Sequence, residues 1–258
     1  MKIVSWNIAG GHTFTGGAED VRSYEKEDLD YFVDRLRETN ADILCLQETH
    51  TPTDNKPHHA QIIAQGLGYK DFINQTYTDR ESHIKEGHYS SISTLSRFPI
   101  ITSHFHVLPN PSLTITRPNG QIWISYTEGI LVAEMDYNGT KINVANILLI
   151  PFHYFERDFA EPEFNNIRED IVKVLSGFLD RPTLAVGDYN LHDLKKHFSE
   201  LFEDNKYNEV FEGIETAPGR GQQDHVLYSS HWNVEEYEVN KEVSADHYLC
   251  SAKLRLTT

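Results

Sequence analysis

The sequence predicts an α/β chain folded as a four-layer sandwich, with two mainly antiparallel β-sheets face to face and helices outside them. Three observations predict it. Short β-branched runs recur along the chain, several joined by hairpin signals. Amphipathic stretches with helical spacing stand between some of them, and each needs a sheet face to cover. No linker, repeat or low-complexity tract interrupts the 258 residues, so residues 1–258 read as one domain. With 39% hydrophobic residues the chain can bury a sizeable core.

Taken in order, residues 2–8 are a β-branched run that includes Trp6-Asn7. Leu29, Phe32, Val33 and Leu36 stand at i, i+3, i+4 and i+7, one face of a helix over 27–39. Residues 42–48 form a short buried strand that ends in the carboxylate of Glu48. Residues 58–66 form a second helix, stopped near Gly66 and Gly68. Ile115 and Ile122 flank Arg117-Pro118-Asn119-Gly120, and the runs 130–137 and 141–149 flank Asn138-Gly139. Asn-Gly between apolar runs is a strong two-residue hairpin signal. Phe164, Ile167, Ile171, Val174 and Phe178 mark another amphipathic helix. Leu184-Ala185-Val186 is a strand broken at Gly187. A shorter helix near 194–203 precedes two last strands, around 225–229 and 247–256.

Composition narrows the setting. The longest apolar stretch, 147–152, is far shorter than the roughly 20 residues that cross a bilayer, so no membrane partner is expected. The first residues read as a buried strand and lack the features of a signal peptide. Cys45 and Cys250 each sit in an apolar run, as reduced core thiols do, which points to the cytoplasm, and a monomer is expected. The net charge of −16 opposes tight, non-specific coating of nucleic acid, because that affinity comes from lysine and arginine. It still allows a nuclease with a local basic groove.

The chemistry-bearing residues share one placement. Asn7, Glu48, Asp188 with Asn190, Asp224, and Asp246 with His247 each stand at the end of an apolar strand. Polar groups there can converge on one rim while the strands hold them rigid. Their motifs resemble the endonuclease/exonuclease/phosphatase superfamily over nearly the whole chain and in that family's order. Ser5-Trp6-Asn7 resembles its opening strand motif and Leu46-Gln47-Glu48 its second. Gly187-Asp188-Tyr189-Asn190 is similar to its Gly-Asp-x-Asn motif. Asp224-His225-Val226 resembles its penultimate strand, and Ser244-Ala245-Asp246-His247 its closing Ser-Asp-His. The resemblance implies the same four-layer sandwich and a divalent-metal-dependent phosphodiesterase.

Two segments bear on the branch. Gly87-His88-Tyr89-Ser90 resembles the tyrosine-bearing segment of exonuclease III type apurinic endonucleases, which implies that Tyr89 contacts the scissile phosphate. Gly187-Asp188-Tyr189-Asn190-Leu191-His192-Asp193 loosely resembles the tyrosyl-DNA phosphodiesterase branch. One departure stands out: Leu148 occupies the place of a family histidine, and Pro151 is followed by Phe152 rather than asparagine. His153 and Asn146 are the nearby replacements for the lost phosphate contact.

Phosphodiester hydrolysis needs charge neutralised on the non-bridging oxygens, an activated water in line, and help for the leaving oxygen. Mg²⁺ (or Mn²⁺) prefers oxygen ligands, which makes Glu48 and Asp246 the expected ligands, with Asn7 in the same shell. The resemblance implies that His247 stabilises phosphoryl charge, that Asp224 orients it, that Asp188 handles the attacking water and that Asn190 assists. Which group is the base stays open between Asp188 and His247. The segments 72–88, 109–123 and 151–165 are expected to frame the mouth, with Arg117, Trp123, Phe152 and Tyr154 as residues that could stack on or clamp a substrate. DNA, at abasic sites or ends, is the first substrate expected. The alternatives are a smaller or lipid phosphodiester, or a binding module that has lost catalysis.

Overall fold

Two six-stranded sheets carry the chain in the computed structural model, which describes residues 1–14, 24–117, 120 and 122–257. The first runs in the order Trp232–Asn240, Leu249–Leu256, Lys2–Asn7, Ile43–Pro52, His88–Ser96, Asp71–Thr76. The second runs Tyr207–Glu209, Asp224–Ser229, Thr183–Asp188, Thr140–Leu148, Gly129–Tyr137, Ile100–Val107. Neighbours are antiparallel except for one pair inside each sheet. Lys2–Asn7 lies parallel to Ile43–Pro52, and Thr140–Leu148 parallel to Thr183–Asp188. Parallel neighbours need a long crossover rather than a tight turn. The amphipathic helices Leu29–Thr39 and Asn165–Ser176 supply those two crossovers.

Strand alternation builds the four layers. Ile3, Ile43 and Cys45 of the first sheet meet Val144, Leu184, Val186 and Val226 of the second in the core between the sheets. Their chain neighbours Val4, Trp6, Leu44 and Leu46 face outward onto Phe32, Val33 and Leu36 of the first helix and Ala60 and Ile63 of the helix His59–Leu67. On the other side Ala145, Ile147 and Ala185 pack on Ile167, Ile171 and Leu175. Period two in the strands and period 3.6 in the helices thus assign nearly every apolar residue to a layer. Ser5 pairs with both Cys250 and Cys45, so a whole strand separates the two cysteines. Two strand spacings of about 4.8 Å each exceed the reach of a disulfide, and both thiols are free and buried.

Asn138 and Gly139 both take positive φ, as the two-residue hairpin requires. The strands Thr114–Thr116 and Ile122–Ile124 pair as the other hairpin, although Pro118 and Asn119 lie outside the described residues. Three sequence expectations change. The strand from Ile43 does not end at Glu48 but continues to Pro52 through a bulge. The helix near 194–203 is two single turns, Leu194–His197 and Ser199–Phe202. Gly187 does not break its strand, which runs from Thr183 to Asp188. There φ is 151°, and a Cβ would stand 2.0 Å from the Ile147 carbonyl oxygen. Gly187→Ala is therefore expected to lose roughly 3 kcal/mol or more in denaturant unfolding. A normal midpoint would show that the two strands can separate cheaply.

The buried histidine His59 gives a pH prediction. Its Nδ1 accepts the His50 backbone N–H at 3.2 Å, and its Nε2 faces Glu27 at 3.4 Å. Burial holds its pKa below the ordinary value, with Glu27 opposing and His88 and Lys85 assisting. As pH falls through about 6.5 the unfolded chain takes up a proton that the folded one resists, so stability is lost on acidification. Glu27, held far below the ordinary carboxyl range chiefly by its hydrogen bond with His59, does not titrate in that window. Between pH 7.5 and 5.5 the stability that His59 contributes should fall. His59→Gln should reduce the dependence by up to about 1.4 kcal/mol per pH unit. Equal slopes in the two proteins would remove His59 as the cause.

Candidate active site

The carboxyl ends of the parallel strands carry the polar residues. Asn7 closes one strand and Asp188 another. Glu48 reaches the rim differently, since pairing with His88–Ser96 slips between Leu46 and Thr49 and Glu48 takes φ +51°. That bulge re-aims a residue that would otherwise follow the strand's alternation. Asp224 begins its strand directly opposite Asp188, and its backbone N–H donates to Thr216 Oγ1 at 2.8 Å. The closing segment is pinned by Trp6, whose indole N–H donates to the His247 carbonyl at 2.9 Å.

Three contacts organise the charges. The Asn7 amide nitrogen donates to Glu48 Oε1 and to Asp188 Oδ2, each at 3.0 Å. His247 Nδ1 donates to Asp224 Oδ2 at 2.8 Å, and its Nε2 faces Asp188 Oδ2 at 3.6 Å. Asn190 N–H donates to Asp188 Oδ1 at 2.9 Å. Burial alone would depress His247, but Asp224 and Asp188 outweigh it and push the imidazole up to about 9, so it is a cation at neutral pH. Burial pushes Asp188 up to about 6 against the pull of His247.

Glu48 and Asp246 have the properties of a cation site. Burial first, then the Asp246 charge, push Glu48 up to about 7. Asp246 Oδ1 is buried without a hydrogen-bond partner among the described residues, while Oδ2 accepts from the Tyr24 hydroxyl at 3.3 Å. The raised Glu48 carboxyl and the spare Asp246 oxygen fit a hard divalent ion. A tighter group, Asp188, Asp224 and His247, brings ligand atoms within 4.8 Å of one another. Both His247 ring nitrogens there already face a carboxylate, so a cation in that group would have to displace one of those contacts. Asn7 departs from its expected role. Its amide oxygen accepts the Ala9 N–H at 3.1 Å, so it bridges Glu48 and Asp188 instead of joining the ligand set.

A cavity of about 290 Å³ opens over these groups, lined by Glu48, Asp188, Asn190, Asp246 and His247. Tyr77, Trp123, Tyr126 and Tyr154 add aromatic walls. Of the expected clamps Trp123 and Tyr154 line it, whereas Phe152 is core and Arg117 lies on the Trp123 ring at 4.4 Å. Tyr89 is not among the lining residues, because strand alternation gives that position to Ser90. Asn146 is 0% exposed and accepts from Gln47 Nε2 at 2.7 Å, holding the sheets together rather than meeting substrate. His153 is exposed beside Tyr154 and also off the lining. Leu148 is core. Sequence reasoning missed Arg220, whose guanidinium donates to the Tyr154 hydroxyl at 2.7 Å and faces Asp246 Oδ2 at 3.6 Å. Its only signal was an arginine between two glycines shortly before Asp224.

This fold and site define a phosphoester-hydrolase class. Residues 4–247 match the Endonuclease/Exonuclease/phosphatase family, and the chain belongs to it. Solved structures agree at the level of fold. An endonuclease/exonuclease/phosphatase from Beutenbergia cavernae shares 18% identity over 99% of this chain and 71% of its own, with a TM-score of 0.71. A mannosyl-6-phosphatase from Bacteroides thetaiotaomicron shares 13% over 99% and 100%, at 0.67. A 3′ phosphatase from Neisseria, bound to product DNA hairpin, shares 15% over 99% and 99%, at 0.61. No curated protein matches the sequence. Members of this family are hydrolases of phosphoester bonds and typically depend on a divalent metal.

Calorimetry can locate the ion. Glu48→Gln and Asp246→Asn should each weaken Mg²⁺ binding at least ~10-fold, and Asp224→Asn much less. An equal loss in Asp224→Asn would move the ion to the Asp188–Asp224–His247 group.

Proposed function

We propose that the chain hydrolyses phosphoesters of small organic alcohols with a divalent cation, Mg²⁺ or Mn²⁺, held by Glu48 and Asp246. The observation that carries this reading is the walled cavity of about 290 Å³ with all the reactive groups among its lining. When bound, the cation would neutralise phosphoryl oxygens and the leaving oxygen. The rest falls to side chains. Asp188, fixed by Asn7 and by the Asn190 N–H, orients the attacking water and takes its proton. His247, kept protonated by Asp224, donates to a phosphoryl oxygen as charge grows there. Arg220 adds a permanent cation beside Asp246.

Duplex DNA is less well supported. Tyr89, on which the apurinic-endonuclease resemblance leaned, is off the cavity, and Ile122, Trp123, Ile124 and Ser125 wall the opening. The arginines are engaged with protein: Arg80 donates to the carbonyls of Ile124 and Ser125, and Arg220 to Tyr154 and the Asp246 carbonyl. Structures of this fold include both a mannosyl-6-phosphatase and a DNA-bound 3′ phosphatase, so the cavity and not the fold supports the choice.

A substrate panel tests the reading. Sugar and polyol phosphates, bis(p-nitrophenyl) phosphate, intact and abasic duplex, single strand and 5′-phosphotyrosyl ends should be compared with Mg²⁺ or Mn²⁺ and in EDTA. Small esters should be cleaved fastest, and EDTA should abolish turnover. A marked preference for abasic duplex, or full activity in EDTA, would overturn it. His247→Ala and Asp188→Asn should each lower kcat at least ~100-fold. Near-normal turnover in either would remove that residue from the mechanism.

A further inference from the structure

We propose that Glu128 selects the alcohol half of the substrate by hydrogen bonding one of its free hydroxyls, so that polyol and sugar phosphoesters are the favoured class. This rests on the phosphoesterase reading above and deepens it. Glu128 stands just before the strand Gly129–Tyr137 and lines the same cavity as Glu48 and Asp188. It is 6% exposed, and its Oε2 is sealed from solvent without a hydrogen-bond partner among the described residues. An unmatched buried polar oxygen costs about 1–3 kcal/mol, yet the hydrolytic steps use Glu128 for nothing. Its backbone is committed to the fold, with its carbonyl accepting the Leu108 N–H at 2.9 Å. A Cβ at the next residue, Gly129, would stand 2.3 Å from the His106 carbonyl oxygen, so the chain carrying Glu128 is packed tightly in place.

The chemistry of the position indicates what it takes. Burial, then the charges of Glu48 and Asp188, hold Glu128 well above the ordinary carboxyl range. Neutral, it offers an O–H donor and a carbonyl acceptor together, and an alcohol hydroxyl matches both. Glu128 lines the same cavity of about 290 Å³ as Glu48 and Asp188, so a hydroxyl that it holds belongs to the small alcohol whose ester those acids face. Tyr77, Trp123 and Tyr126 in the same cavity supply apolar faces for the C–H side of a polyol.

The test compares kcat/KM for glycerol 3-phosphate, which carries two free hydroxyls, with n-propyl phosphate, which carries none. Wild type should prefer the first by roughly 30-fold or more, since a site built around a hydroxyl rejects the analogue without it. Glu128→Ala should erase that preference while leaving propyl phosphate turnover and calorimetric Mg²⁺ affinity within about 3-fold of wild type. Glu128→Gln, which keeps a donor and an acceptor, should retain most of it. Should the alanine variant fail to fold, Glu128→Met removes the hydrogen-bonding atoms at similar length. No preference in wild type, or parallel loss on both esters, or weakened Mg²⁺ binding, would overturn the proposal and leave the phosphoesterase reading standing. Turnover of no phosphoester at all would defeat that reading and this proposal with it.

Discussion

The site depends on one topological constraint: each sheet contains a single parallel pair of strands, and the residues at their carboxyl ends meet on one rim. A right-handed helical crossover is the short way to join parallel neighbours, so the helices Leu29–Thr39 and Asn165–Ser176 are inseparable from the position of Asn7 and Asp188. With the two sheets stacked, Asn7 of one reaches Glu48 within its own sheet and Asp188 of the other, each at 3.0 Å. That single amide ties the layers together where the chemistry occurs. Behind it, Gln47 and Asn146 form a second amide link at 2.7 Å, so the rim is braced by polar contacts that the apolar core could not supply.

The price of this convergence is electrostatic. Glu48, Asp188, Asp224, Asp246 and Glu128 lie near one another, with His247 and Arg220 as the cations described among them. The environment divides these acids by role. Asp224 is spoken for by His247, which it keeps charged. Glu48 is pushed up by burial and by the Asp246 charge, and Asp246 keeps one oxygen without a partner among the described residues. Glu128, whose Oε2 is likewise without a partner among them, is held well above the ordinary carboxyl range. Burial and neighbours thus set identical functional groups apart, and the proposed ligand, orienting and recognition roles rest on that difference.

Much of this was legible beforehand. Hydrophobic periodicity gave both crossover helices, the Asn138-Gly139 turn gave its hairpin, and polar residues at the ends of apolar runs named Glu48, Asp188, Asp224, Asp246 and His247, which the structure brings near one another. The misses share a cause. Tyr89 and Asn146 look available in sequence, but a one-residue difference in strand phase decides whether a side chain meets the cavity or the space between sheets. Arg220, Tyr24 and Glu128 belong to loops or strand starts whose course depends on what they pack against, and no local pattern marks them.

By itself, then, the sequence determined the layer assignment, the helical crossovers and the candidate acids and histidine that meet on one rim, because periodicity and the ends of apolar runs are local properties of the chain. Only the tertiary structure decided which oxygens are left without partners, that Asn7 bridges rather than ligates, and that an aromatic hairpin walls the opening. Those are matters of distance between residues far apart in sequence, fixed by sheet register and by a bulge at Glu48 that no spacing rule announces.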